Sequence, residues 1–366
     1  AWDIYVRDRD TDADGIFDEA GAVATNRVSQ STSGGNPVGP DANLSFEPAI
    51  SDDGRFVAFE STATNLVTGD TNAAADIFVR DRSANTTARV SVSTAGVQGT
   101  AGADSRRARI SADARFITFH SNASNLVAGD AAGQSDIFVR DRDLDRDGLY
   151  DEAGAVATRR LSLSTADVEA NGHSFDSAMN ADGRYVAFFS HATNLIAVDV
   201  NAQPDIFLRD RDTDTDGIFD EAGAVSTVLL SLDSAGGQAN DASFVPALSP
   251  DGRYLTFYSK ATDLVAGDTN LLFDVFVRDI TGGYTIRVSV SEAGDEALGG
   301  DSWRALTTSS FSANASLVAF HSFATNFVAN DNNASLDVFV HISDHDNDGI
   351  LEPKDNCAAV SNEGQT

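Results

Sequence analysis

Three short stretches of this chain repeat one acidic pattern. The first reads Asp10-Thr11-Asp12-Ala13-Asp14-Gly15-Ile16-Phe17-Asp18-Glu19. The second carries Asp143, Asp145, Asp147, Gly148, Leu149, Asp151 and Glu152, and the third Asp212, Asp214, Asp216, Gly217, Ile218, Asp220 and Glu221. Alternate residues of a tightly wound loop point one way, so the first three carboxylates of each stretch converge. The glycine allows the sharp turn. The backbone carbonyl of Ile16, Leu149 or Ile218 then adds an oxygen, and the apolar side chain is expected to anchor the loop inward. Hard oxygen donors at this spacing are the ligand set of Ca2+, with Asp18, Asp151 and Asp220 as further donors. Crowding these carboxylates without a cation costs on the order of several kcal/mol of repulsion.

The loops depart from an EF-hand. Its bidentate Glu at position 12 is Gly21, Gly154 or Gly223 here. Glu19, Glu152 and Glu221 are the substitutes, or water. No flanking helices are expected. A fourth copy near the C-terminus has Asp344, Asp346, Asp348, Ile350, Glu352 and Asp355, followed by Asn356 and Cys357. This segment resembles the calcium loops of thrombospondin type-3 repeats. The resemblance implies a calcium-binding segment over residues 344–366, continuing as a stalk beyond Thr366, with Cys357 pairing to a neighbouring repeat. Two other loops, Asp70-Thr71-Asn72 to Asp76 and Asp268-Thr269-Asn270 to Asp274, have two readings. Their side chains share a cation, or they cap a turn.

The elements that must hold these loops repeat as well. Asp-Ile-Phe-Val-Arg-Asp or a close variant begins at Asp3, Asp76, Asp136, Asp205, Asp274 and Asp337. Asp-Gly-Arg-aromatic-x-x-Phe-x-Ser recurs at Asp53–Ser61, Asp182–Ser190 and Asp251–Ser259, with degenerate copies at Asp113–Ser121 and Asn314–Ser322. Arg-Val-Ser-Val-Ser stands at Arg89–Ser93 and Arg287–Ser291, and Arg160–Ser164 is close to it. Short β-branched and aromatic runs bounded by Gly, Asp, Asn and Ser are strands. In the repeat containing Ser45–Ser93 they predict strand a over Ser45–Ser51, b over Arg55–Ser61, c over Asp76–Asp81 and d over Arg89–Ser93. The Asp-Gly between a and b predicts a tight hairpin turn. From the end of c to the start of d takes 8 positions in two repeats (Asp81 to Arg89, Asp279 to Arg287) and 19 in three (Asp8 to Arg27, Asp141 to Arg160, Asp210 to Leu229). The acidic loops are therefore 11-residue insertions between strands c and d.

Four antiparallel strands in a unit of about 60 residues predict an all-β fold, a β-propeller of four-stranded blades. Ser249-Pro250-Asp251-Gly252-Arg253-Tyr254-Leu255-Thr256-Phe257-Tyr258-Ser259, followed by Asp274-Val275-Phe276-Val277-Arg278-Asp279, resembles the TolB-like propeller repeat. The resemblance covers residues 1–343 and implies fold rather than function, since such propellers serve as periplasmic binding proteins, surface-layer components and peptidase domains. The chain starts with strands c and d and ends with a, b and c. Six blades are expected, one completed from outside this chain or left incomplete. Five blades, closed by the N-terminal d strand, is the other arrangement.

The formal net charge of −31 argues against a polyanionic partner such as nucleic acid. No apolar run is long enough to cross a membrane, so no membrane insertion is expected. Of six histidines, His120 and His321 share a repeat position that Glu60, Phe189 and Tyr258 fill elsewhere, which reads as a packing site. No Gly-x-Ser-x-Gly elbow, His-Glu-x-x-His motif or phosphate loop occurs. The repeated Arg of strand c and the Asp and Arg of the a–b turn are expected to pair within or between blades. The expectation is a non-enzymatic, secreted or cell-surface prokaryotic module that binds calcium. It would associate with a protein partner or with itself through incomplete blade edges, forming a filament. A lectin-like propeller stacking glycans on Trp2, Tyr284 and Trp303, or an accessory domain of a secreted hydrolase, are the alternatives.

Overall fold

The computed structural model describes residues 2–39, 44–130, 133–305, 312, 316–329, 331 and 335–342. No helix occurs among them, hence none long and apolar enough to cross a membrane. The chain divides into two compact units, Ala1–Arg160 and Leu161–Thr366.

Every sheet is an antiparallel meander of consecutive strands. In the first unit, β1 (Tyr5–Asp8) and β2 (Ala24–Arg27) form a two-stranded sheet. Two four-stranded sheets follow. One is β3 (Ser45–Ile50), β4 (Phe56–Ser61), β5 (Asp76–Asp81) and β6 (Thr86–Arg89), and the other β7 (Ser105–Ile110), β8 (Phe116–Ser121), β9 (Asp136–Asp141) and β10 (Ala157–Arg160). The second unit has two more, β11 (Ser174–Met179), β12 (Tyr185–Ser190), β13 (Asp205–Asp210) and β14 (Ser226–Leu229), then β15 (Ser243–Leu248), β16 (Tyr254–Ser259), β17 (Asp274–Asp279) and β18 (Tyr284–Arg287). It ends in a three-stranded sheet of β19 (Ser302–Ala305), β20 (Leu317–Ser322) and β21 (Asp337–Ile342).

Within each unit, alternation along strands b and c turns one set of side chains toward a neighbouring sheet. Phe56, Ala58, Ile77 and Val79 thus share a core with Ala108, Ile117, Phe119 and Phe138 of the next sheet. In the second unit Ala187, Ile206 and Leu208 meet Leu248, Leu255, Phe257 and Phe276 in the same way. The Phe of strand b stacks on the Phe of strand c in all five sheets that contain both strands. The ring centroids lie 6.0 Å apart for Phe59–Phe78, 5.8 Å for Phe119–Phe138, 6.0 Å for Phe188–Phe207, 5.7 Å for Phe257–Phe276 and 5.8 Å for Phe320–Phe339.

Polar side chains tie each four-stranded sheet to the loop that precedes it in the chain. Arg80, buried in β5, donates to Thr87 Oγ1 at 3.1 Å and to the Ser31 carbonyl at 3.3 Å, and Thr87 Oγ1 donates to the Gln30 carbonyl at 2.6 Å. Arg140 repeats this with Thr158 and the Ser93 carbonyl, Arg209 with Thr227 and the Ser164 carbonyl, and Arg278 with Thr285 and the Leu232 carbonyl. Within each four-stranded sheet the Arg of the a–b turn pairs with the last Asp of strand c, at 2.7 Å for Arg55–Asp81, Arg115–Asp141 and Arg253–Asp279 and 2.8 Å for Arg184–Asp210. The expected pairing of these arginines is therefore met.

Strand d differs from expectation. It runs Thr86–Arg89, so Arg89 ends the strand rather than starting it. Beyond it Val90 N–H makes one more bond, to the Ile77 carbonyl, and Ile77 N–H is taken by the Ser91 hydroxyl instead of by backbone. A serine side chain thus replaces the ladder and lets the chain turn away.

Strand a carries a bulge in every sheet that has one, and in four of them a non-glycine residue adopts φ between 47° and 56°: Glu47, Arg107, Asp176 and Val245. For a β-branched valine this conformation is strained. Replacing Phe257 by Ala removes a fully buried ring from the stack and from the inter-sheet core. The expected loss is about 3–5 kcal/mol in denaturant unfolding, against less than about 1.5 kcal/mol for Phe257→Leu.

Candidate functional site

Each acidic insertion is built on the residue before it. Arg142 is 2% exposed and Arg211 is 1% exposed, among the largest fully buried side chains. Arg142 donates to the Ala114 carbonyl of the a–b turn at 2.9 Å and to Asp151 at 2.7 Å, and lies 4.8 Å from the Phe56 ring centroid and 4.9 Å from that of Tyr150. Arg211 holds the Gly183 carbonyl at 2.7 Å, Asp220 at 2.7 Å and the Phe219 ring at 5.0 Å. Arg9 pairs with Asp18 at 2.6 Å and sits over Phe17 at 5.2 Å, but its side chain is 59% exposed. Its sheet has only two strands and offers no a–b turn to receive it.

Above this anchor the loops wind as expected. Asp10 accepts the N–H groups of Asp14 at 3.2 Å and Gly15 at 2.9 Å, and Asp14 accepts that of Ile16 at 2.8 Å. Asp143 and Asp147 repeat the pattern, as do Asp212 and Asp216. Gly15, Gly148 and Gly217 have φ of 87°, 84° and 83°, values a side chain would resist. One carboxylate oxygen from each of Asp10, Asp12 and Asp14 lies within 4.8 Å of the others, and the same holds for Asp143, Asp145, Asp147 and for Asp212, Asp214, Asp216.

The electrostatics follow from that crowding. Desolvation, then the charges of Asp216 and Asp212, push Asp214 up. At Asp10 desolvation acts the same way but is outweighed by N–H donors, Gly15 foremost, so its acid falls below the usual carboxylate range. The donor set is all oxygen and doubly or triply charged, which fits a hard divalent cation.

The other sequence-predicted ligands lie elsewhere. Asp18, Asp151 and Asp220 are held by Arg9, Arg142 and Arg211 rather than gathered with the three carboxylates. Glu19, Glu152 and Glu221 stand outside those groups of three as well. Ile16, Leu149 and Ile218 do not anchor the loops inward: they are 57%, 56% and 49% exposed. The aromatic residue one place later does so in the second copy, where Tyr150 meets Phe56 at 4.9 Å and donates to the Asp113 carbonyl. The signal for this was the Arg before each loop and the aromatic at its eighth position. Asp344, Asp346, Asp348, Ile350, Glu352 and Asp355 lie outside the described residues.

The two loops between strands b and c singled out above receive a guanidinium from the end of strand d. Arg89 Nη1 stands 3.1 Å from both Asp70 and Asp76, and Arg287 Nη1 stands 3.2 Å from Asp268 and 3.5 Å from Asp274. Asn72 and Asn270 brace the same aspartates. Of the aromatics that could stack on a sugar, Trp2 packs on Phe46 with centroids 5.4 Å apart. The Glu60/His120 position is a packing site: Glu60 accepts Arg107 N–H at 3.0 Å from the next sheet, and Phe189 meets Phe244 of its own next sheet at 5.3 Å.

No protein-family profile and no curated protein matches the chain. Solved structures similar to it include β-propeller proteins of the TolB kind. A putative TolB from Agrobacterium tumefaciens is 14% identical, with 87% of this chain and 85% of that one covered and a TM-score of 0.43. TolB from Acinetobacter baumannii is 15% identical, with 78% and 53% covered and a TM-score of 0.38, so the chain spans about half of that protein. An oligogalacturonate lyase in complex with manganese is 10% identical, with 87% and 68% covered and a TM-score of 0.45.

Burial, then the charges of Arg107, Arg106 and Arg109, push the His120 imidazole down to about 3. It stays neutral in the fold where an unfolded histidine, near 6.5, has taken a proton. Its contribution to stability is complete above about pH 6.5 and is lost as pH falls from there toward about 3. His120→Gln should therefore narrow the stability gap to the wild type as pH falls through that window, in parallel urea titrations.

Proposed function

We propose that the chain is a non-enzymatic, extracellular calcium-binding module in which Ca2+ rigidifies the inserted c–d loops of a propeller-type repeat. The observation that carries this reading is the threefold gathering of three aspartates within 4.8 Å, each time in the same 11-residue insertion. The ligands assigned are Asp10, Asp12 and Asp14, then Asp143, Asp145 and Asp147, then Asp212, Asp214 and Asp216. The position-7 carbonyls and water complete the shell. The C-terminal copy, with its likeness to thrombospondin type-3 repeats, extends the same chemistry past the repeats.

A structural or adhesive role suits a chain whose last described strand has a neighbouring strand on one side only among the described residues. β21 pairs only with β20 among the described residues, and Val338, Val340 and Ile342 on it are exposed. A strand edge with exposed apolar side chains is a template for another strand. We assign assembly with a partner or a second copy to this edge, and secretion to the calcium requirement, since extracellular calcium modules work at the weak end of the affinity range.

Excess chelator should lower the melting temperature, and Ca2+ should restore it. Each site at 100-fold saturation is worth about 2.7 kcal/mol. The triple variant Asp12→Asn, Asp145→Asn, Asp214→Asn should lose most of this response by differential scanning calorimetry. An identical melt with and without chelator would sink the reading.

A further inference from the structure

One repeat of the second unit lacks the arginine that its counterparts use. In the sheet of β3–β6 the last residue of strand d, Arg89, pairs with Phe78 in register and bridges Asp70 and Asp76. Arg287 does the same opposite Phe276 between Asp268 and Asp274. Arg160, opposite Phe138, lies 3.6 Å from both Asp130 and Asp136. In the sheet of β11–β14 the residue opposite Phe207 is Leu229. Both carboxylates of the site are retained, as Asp199 and Asp205.

Among the described residues no fixed positive charge replaces the guanidinium there. Asp205 is buried and takes the Ser231 hydroxyl at 2.6 Å on one oxygen. The Gln238 amide donates to Asp205 at 2.8 Å and to Asp199 at 2.9 Å, so a neutral group spans the two acids. Its orientation is fixed by Val200 N–H, which donates to the side-chain Oε1 of Gln238 at 3.0 Å. The second oxygen of Asp199, Oδ2, is shielded from solvent and accepts no hydrogen bond. An amide satisfies directions but does not cancel charge, and a buried carboxylate without a counter-charge is costly. Asp199 itself is only half-buried and the flanking Val198 and Val200 are exposed, so the pair lies just beneath the surface.

We infer that the Asp199–Asp205 pair binds an inorganic cation of the hard divalent class, Ca2+ above all, in the place that arginine fills in the other repeats. The two carboxylates supply the charge, and the free Asp199 Oδ2 is the oxygen left for the ion. This site is separate from the c–d insertions and does not rest on their binding calcium.

The test is a Ca2+ titration of the whole chain by calorimetry, with equilibrium dialysis for stoichiometry. Wild type, Leu229→Arg and Asp199→Asn are compared. Leu229→Arg should remove one calcium equivalent and leave the others unchanged, and it should reduce the chelator-induced fall in melting temperature. Asp199→Asn should remove the same equivalent without adding a charge, so the result stands if the arginine variant folds poorly. If the insertions bind nothing, the wild type still takes up this one ion and the variants lose it, which separates the two claims. Unchanged stoichiometry in both variants overturns the inference. So does a wild type that only takes up a proton at the pair, with no calcium competing for it.

Discussion

The structure depends on one buried contact made four times. An arginine in strand c and a threonine in strand d reach back to the carbonyls of the loop that leaves the preceding sheet. Arg80 finds Thr87 seven residues on, and Arg140 finds Thr158 eighteen residues on, at 3.1 and 3.0 Å. The clasp is thus indifferent to the length of the c–d connection. That indifference allows an 11-residue loop to be inserted in some sheets and not in others while the strands keep their register. Because the guanidinium is buried, its hydrogen bonds to carbonyls are hard to replace, and burial pushes Arg80, Arg140 and Arg278 below the usual arginine range.

The insertion has a second arginine of its own, and the two act at different levels. The clasp fixes where the loop begins and ends. Arg142 and Arg211 then fix the loop against the a–b turn, stack on its aromatic residue and take its ninth-position aspartate. That aspartate is withdrawn from the three that converge, so the loop carries one anionic anchor and one anionic cluster. In the first copy the anchor is half-made, because the sheet of β1–β2 has no a–b turn. The three clusters therefore share a pattern of carboxylates but not a foundation.

Strands b and c were legible because their signal is side-chain chemistry: Phe, Val and Ile alternating between Asp-Gly and Ser. Strand d was read three residues late. Arg-Val-Ser-Val-Ser has the composition of a strand, and nothing in it announces that Ser91 will take over a ladder bond. The strand a bulge was illegible for a related reason. Glu47, Arg107, Asp176 and Val245 have no side-chain property in common, and their shared positive φ comes from how strand a meets its neighbours. The converging aspartates at loop positions 1, 3 and 5 were readable from spacing. The fate of Asp18, Asp151 and Asp220 was not, since it turned on an arginine nine residues earlier.

The repeats also differ in where they keep positive charge. Every b–c loop of the four-stranded sheets offers two aspartates near the end of strand d, and three of the four strands answer with arginine. At Arg287 the answer is crowded, with Asp268, Asp274 and Glu296 all within 3.5 Å of one nitrogen, and desolvation and Asp274 still raise Asp268 to about 6. Even a resident guanidinium does not fully neutralise this geometry. Where it is absent, at Leu229, desolvation lifts Asp205 to about 6 against the pull of Ser231 and Gln238. In a protein of net charge −31, the arginines of the clasps and loop anchors stand where no ion could substitute for a directed fork of donors. The positions it leaves to carboxylates alone are those a spherical cation can serve, because such an ion needs oxygen and charge but no donor geometry.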